Sequence, residues 1–117
     1  MKRIAWSLLV LLLAAIAPAR ADIWPAKPIH IVVTFAPGGA ADIWARILAE
    51  HLSTALGQSV VVENRGGGGG IVAATQVARA DPDGATILMG GLAPQILAPV
   101  TAGNAGFDAL RDFTHIA

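Results

Sequence analysis

Ile29-His30-Ile31-Val32-Val33-Thr34-Phe35, followed by Ala36-Pro37-Gly38-Gly39 and then Ala40-Ala41-Asp42-Ile43, is the stretch that decides the fold. The first seven residues are rich in β-branched side chains and nearly continuous in hydrophobicity. That is too short for a buried helix and typical of a strand covered on both faces. Pro37-Gly38-Gly39 ends the run, and from Ala40 the period changes. Ile43, Ile47, Leu48, His51, Leu52 and Leu56 recur at three- and four-residue intervals until Gly57 closes the helix.

Working outward, the alternation repeats. Ser59 to Glu63 reads as a second strand built on Val60-Val61-Val62, and Asn64-Arg65 leads into five consecutive glycines, Gly66 to Gly70. From Ile71 to Ala80 the spacing predicts a second helix with Ile71, Ala74, Val77 and Ala78 on one side. Asp81-Pro82-Asp83-Gly84 is a turn by composition, and Thr86-Ile87-Leu88-Met89 a third strand ended by Gly90-Gly91. Strand, helix, strand, helix, strand in about sixty residues implies right-handed crossovers and an α/β fold with a parallel, doubly wound sheet. Beyond it, Ala93 to Val100 predicts a short helical turn interrupted by Pro94 and Pro99, and Phe107 to Phe113 another. Thr114-His115-Ile116-Ala117 reads as the opening of a fourth strand, an ending expected of a truncated polypeptide.

Ahead of the deciding stretch lies a leader. Lys2 and Arg3 form a positive start, Ile4 to Ala17 is apolar, Pro18 breaks a helix, and Ala19-Arg20-Ala21 offers the small residues that a signal peptidase requires. The apolar run of 14 residues is shorter than the roughly 20 needed to span a bilayer. Residues 1–21 are therefore expected to be a signal peptide cleaved after Ala21, leaving 22–117 as one incomplete α/β lobe. The chain of 117 residues is 55% apolar and 14% charged, with a mean hydropathy of +0.62. These values argue against a disordered tail. Without the leader, five basic residues face eight acidic ones, so no basic patch remains for nucleic acid. There is no cysteine, hence no disulfide framework and no thiolate site.

The chemistry is expected in the loops that follow the strands. In a doubly wound sheet, ligands sit beyond the carboxyl ends of the strands, where helices present their amino termini. Residues 36–41, 64–70 and 90–93 meet that condition and are rich in glycine, so the backbone can approach a ligand and offer N–H donors. A carboxylate or phosphate suits such a place. The Walker pattern fails because Ile71-Val72 follows Gly70, and the G-x-G-x-x-G dinucleotide fingerprint fails in both of the first two loops. Glu63 at a strand end is the one element that keeps an exported dinucleotide-binding enzyme as an alternative.

Two roles are open to Asp42: holding the first loop in shape from the first helical turn, or meeting a ligand amine or hydroxyl. Arg65 either binds a ligand anion or is a solvated charge. His30, His51 and His115 show no metal-ligand spacing, and no G-x-S-x-G elbow or catalytic carboxylate pair exists. Binding without chemistry is the reading; the protein is not expected to be an enzyme, and no cofactor or metal is expected.

The succession Trp24-Pro25-Ala26-Lys27-Pro28-Ile29, then P-G-G-x-x-D ending at Asp42, then Val62-Glu63-Asn64-Arg65 with its glycine loop, and Ala80-Asp81-Pro82-Asp83-Gly84, closely resembles the Bug family of solute receptors of tripartite tricarboxylate transporters. The likeness resumes at Phe107-Asp108 and Asp112-Phe113-Thr114 and so spans essentially all of the expected mature chain. It implies a periplasmic receptor of two α/β lobes, monomeric when complete, that closes over a small carboxylate solute and delivers it to membrane subunits. By the resemblance, Phe35, Ala36, Pro37, Gly38, Gly39 and Asp42 form one gripping loop and Gly67, Gly68, Gly69 and Gly70 the other, with Gly90 and Gly91 alongside. Family members often carry proline and alanine where this chain has the five glycines, which should make the loop costlier to order. They are also about three times longer, so a non-functional relic of a receptor is a further alternative.

Overall fold

The computed structural model describes residues 24–103 and 105–116. The expected signal peptide and its cleavage point lie outside these residues. Three strands form one parallel sheet: β1 (Ile29–Val33), β2 (Val60–Asn64) and β3 (Thr86–Met89), in the order β2-β1-β3. Ile31 pairs with Val62 on one side and Ile87 on the other, so β1, the most apolar strand, is central. Helix α1 (Ala40–Leu56) links β1 to β2, and α2 (Ile71–Ala78) links β2 to β3. Gly57 ends α1 in the left-handed conformation at φ 63°, the place where a residue without Cβ is favoured.

The two faces of the sheet are covered by different helices. Ile31 and Val33 are fully buried against Ala45 and Ala49 of α1, with Val60, Val62, Met89 and Leu52 packed around them. Val32 points the other way and is also fully buried, on the face where α2 brings buried Ala73 and Ala74. This is the doubly wound arrangement expected from the sequence.

Three details differ from that expectation. On α1 the recurring large residues are not the buried face: Trp44 is 66% and Ile43 53% exposed, and Ile47 and Leu48 are exposed too. The helix meets the sheet through small residues, Ala41, Ala45 and Ala49, which allow a close approach. The segment containing Pro94 and Pro99 forms a π-type turn (Ala93–Leu97) running into α3 (Ala98–Ala102). Ala98 N–H reaches back five residues to the Ala93 carbonyl. A proline ring clashes with the carbonyl four residues earlier in a regular helix, and a wider turn next to Pro99 relieves it. Finally, residues 107–113 form no helical element and 114–116 no strand. Asp108 instead caps a tight turn, accepting from the N–H groups of Leu110 and Arg111 at 3.0 and 3.1 Å. Phe107 and Phe113 close it edge to face, with centroids 5.7 Å apart, and His115 bonds the Ala109 carbonyl.

The residues before β1 are fastened to the opposite end of the sheet from the glycine loops. Trp24 donates from Nε1 to the Asp83 carbonyl at 2.9 Å and packs on Gly84, while Lys27 pairs with the Asp83 carboxylate at 2.6 Å.

Candidate functional site

Because β2, β1 and β3 are parallel neighbours, the loops after them leave the sheet side by side. The first runs through residues 34–39. Gly38, at φ +81°, and the N-cap Gly39 turn the chain into α1, and Gly39 supplies no side-chain cap. The first-turn N–H groups of a helix have no intrahelical acceptor, so the turn is open to an anion. Residues 35–39 are exposed.

Asp42 supports this loop from beneath. It is buried, its Oδ2 accepts from Gly38 N–H at 2.8 Å, and its Oδ1 faces the Arg46 guanidinium at 3.0 Å, an ion pair whose geometry falls short of a hydrogen bond. Arg46, then the Gly38 amide, hold its carboxyl down at about 2 against the opposing effect of burial. Of the two roles open to it, the geometry matches the holding one, and it also occupies the Gly38 N–H. The N–H groups of Gly39 and of the first turn of α1 have no acceptor within the helix.

The second loop is joined to the first at its root. Asn64 Nδ2 donates to the Phe35 carbonyl at 3.2 Å, and Arg65 N–H to the Val33 carbonyl at 2.8 Å. Gly67, Gly68, Gly69 and Gly70 all have positive φ, which is why the glycine run can fold as it does: a tight turn through left-handed backbone (Gly68–Gly70) delivering the chain into α2. Gly67, Gly68 and Gly69 are exposed. Gly70 is buried; its N–H donates to the Gly67 carbonyl, and a Cβ there would lie 2.4 Å from Pro94 Cβ and 3.2 Å from Thr34 Cβ. A Cβ placed on Gly90 of the third loop would meet the same two residues, at 3.2 Å from Pro94 Cγ and 3.4 Å from Thr34 Cγ2. Gly70 and Gly90 thus interlock the loops around Pro94 and Thr34, and Gly91 accepts from Gln95 N–H.

Neither arginine at the loop roots is a free cation. Arg65 reaches Glu63 Oε2 at 3.3 Å, and Glu63 Oε1 lies 2.7 Å from His30 Nδ1. The His30 ring, and after it Arg65, hold the Glu63 carboxyl below its usual range despite partial burial. Glu63, the residue on which the dinucleotide alternative rested, is therefore already partnered. An open groove of about 370 Å³ runs beside the second loop, bounded by Gly68, Gly69, Ile71, Ala93, Leu97, Ala98 and Thr101. A larger one of about 600 Å³ follows α1 and the outer strand β2, away from the glycines.

Sequence reasoning passed over Arg46. Its signal was the four-residue spacing from Asp42, which puts opposite charges on one side of a helix.

A parallel α/β sheet with glycine-rich loops at its carboxyl edge defines the lobe of a ligand-binding protein. The family model described as "Tripartite tricarboxylate transporter family receptor" matches residues 44–117, and the chain belongs to that family. A UPF0065 protein of Bordetella bronchiseptica is 41% identical over 108 residues, covering 92% of this chain and 32% of its own. Protein BugT of Bordetella pertussis is 48% identical over 73 residues, 62% of this chain and 22% of the relative. Among solved structures, MatC from Rhodopseudomonas palustris with bound malate superposes with a TM-score of 0.72 at 37% identity, covering 78% of this chain and 31% of that one. An R. palustris protein with adipate gives 0.54 at 43% identity, over 56% of this chain and 22% of that one. The chain spans about a third or less of the relatives it matches. A solved structure of the periplasmic binding protein BugD is also similar, with a TM-score of 0.53 at 55% identity over 56% of this chain and 22% of that one.

Proposed function

We propose that this chain is the carboxylate-gripping portion of a periplasmic solute receptor serving a tripartite tricarboxylate transporter. The observation that carries the reading is the pair of exposed glycine loops rooted on adjacent strands and tied together by Asn64 and Phe35. Arg46 and Arg65, the arginines nearest these loops among the described residues, are both held by carboxylates. A carboxylate of the solute lies against the N–H groups of Gly39, the first turn of α1, and Gly67 to Gly69, while Gly38, Gly70 and Asp42 shape the loops. Gly90 and Gly91 stand behind Pro94 and line the site from the third loop. Malate and adipate in related structures support a small dicarboxylic acid as the solute class. The leader directs export, with cleavage after Ala21, and membrane subunits of the transporter are the receiving partners. Catalysis has no part in this role.

The test is an NMR titration of the full chain with malate and adipate. The described residues supply one wall around the solute, which leaves much of it in water, so binding weaker than micromolar is expected, with amide shifts confined to both glycine loops. Absence of any loop response to either acid refutes the reading.

A further inference from the structure

The first loop is held at two points by side chains that lie outside it. Gly38 N–H is taken by Asp42 Oδ2 at 2.8 Å, and the Phe35 carbonyl by Asn64 Nδ2 at 3.2 Å. These two anchors come from different elements, α1 and the end of β2, and each has freedom of its own: a carboxylate can rotate, and an amide can turn over. One residue touches both. Arg46 sets its guanidinium against Asp42 Oδ1 at 3.0 Å and donates from the same nitrogen, Nη2, to Asn64 Oδ1 at 3.4 Å.

We propose that Arg46 is a positioning residue for carboxylate binding: by gripping Asp42 and Asn64 together it fixes the shape of the Phe35–Gly39 loop. Its contact with Asn64 Oδ1 commits that amide to presenting Nδ2, the donor, to Phe35. Its contact with Asp42 Oδ1 turns Oδ2 toward Gly38. Both loop anchors thereby share one orientation, and the N–H groups of Gly39 and the first helical turn point outward as a set. The side chain is 57% exposed, so it holds the loop without being part of the apolar core. A flexible solvated arginine at this place would leave the loop free to sample several forms, each with fewer amides converging on one point. The ligand part of this inference rests on the receptor reading above; the loop part rests on geometry alone.

The experiment is amide hydrogen exchange on the full chain, wild type against Arg46→Met, with a malate titration followed by NMR on the same samples. Local opening moves the exchange of Gly38, whereas a general loss of stability moves Ile31 and Val32 of the central strand as well. The expected result is exchange at Gly38 about tenfold faster, the order expected for disorienting one charge-assisted hydrogen bond, with Ile31 and Val32 little changed. Malate binding is expected to weaken about tenfold as well. Unchanged exchange at Gly38, or an equal change at Gly38 and in β1, overturns the proposal, as does wild-type malate affinity in a variant whose loop has loosened. If malate moves no loop amide in the wild type while Arg46→Met still loosens Gly38 selectively, the receptor reading fails and the loop-holding role stands. Arg46→Lys keeps the charge but not the two-sided grip, and carries the same test should Arg46→Met not fold. Intermediate exchange at Gly38 supports the proposal, and wild-type exchange overturns it.

Discussion

Replacing Gly70 with alanine adds one carbon atom at the point where three loops meet. Two costs arise there. The backbone at φ +95° lies in the left-handed region, where a Cβ costs about 1–2 kcal/mol. The new atom would also stand 2.4 Å from Pro94 Cβ and 3.2 Å from Thr34 Cβ, and Gly70 is buried, so something must shift. Overpacking of this kind costs about 1–3 kcal/mol. Together the loss is about 2–5 kcal/mol, a large part of the stability of a domain of this size. Gly38→Ala is the internal control: φ is +81°, yet nothing lies within 4 Å of the added carbon, so only the backbone cost of about 1–2 kcal/mol applies. Urea unfolding followed by tryptophan fluorescence measures both. Combining Gly70→Ala with Pro94→Gly removes the nearest clashing atoms, and a favourable coupling of about 1–3 kcal/mol is expected in the double-mutant cycle. If Gly70→Ala costs no more than Gly38→Ala, or the cycle shows no coupling, the interlock around Pro94 is not what holds these loops together.

Acid should act through Asp42: its carboxyl, held at about 2, is well below an ordinary aspartate, so the stability it contributes is complete above about pH 4 and drains away as pH falls toward 2. Asp42→Asn should flatten that part of the acid-unfolding curve, and an unchanged profile would contradict the buried carboxylate. On α1, Ala45→Leu forces bulk between the helix and fully buried Ile31 and Val33 and should cost about 1–3 kcal/mol by chemical denaturation, whereas Ile43→Ser on the exposed side should stay within about 0.5 kcal/mol. Trp24→Phe keeps a ring over Gly84 but loses the bond to the Asp83 carbonyl, for an expected loss of about 0.5–1.5 kcal/mol in the same assay.

The order of helices and strands was legible because punctuation marks it, with Pro37-Gly38-Gly39 before α1, Gly57 after it and the turn of residues 81–84 before β3. The expected ends of β1 at Phe35 and of α2 at Ala80 each fall two residues beyond the observed Val33 and Ala78. Which side of α1 is buried was not legible. Its sequence carries two stripes, one of large residues through Ile43, Ile47 and Leu48 and one of small residues through Ala41, Ala45 and Ala49, and hydrophobic spacing favours the larger. The sheet selects the smaller, since the methyl groups of Ala41, Ala45 and Ala49 let the helix lie close on the valine-rich strands, with Leu52 partly buried beside them. The π-type turn escaped because periodicity assumes a regular helix, although Pro99 was visible. At the site, the glycine loops were legible by composition and Asp42 by position. The link between the loops was not, because Asn64 and Arg46 come together only when β2 has paired with β1.

The bond of Trp24 to Asp83 and the pairing of Lys27 with the same residue fasten the entering chain beneath the amino ends of β1 and β3. The glycine loops occupy the other pole. Anything joined to the protein ahead of Trp24, whether an affinity handle, a fluorophore or a surface linker, therefore hangs from the pole facing away from the loops, and a chip coated through that end presents the loops outward to solution.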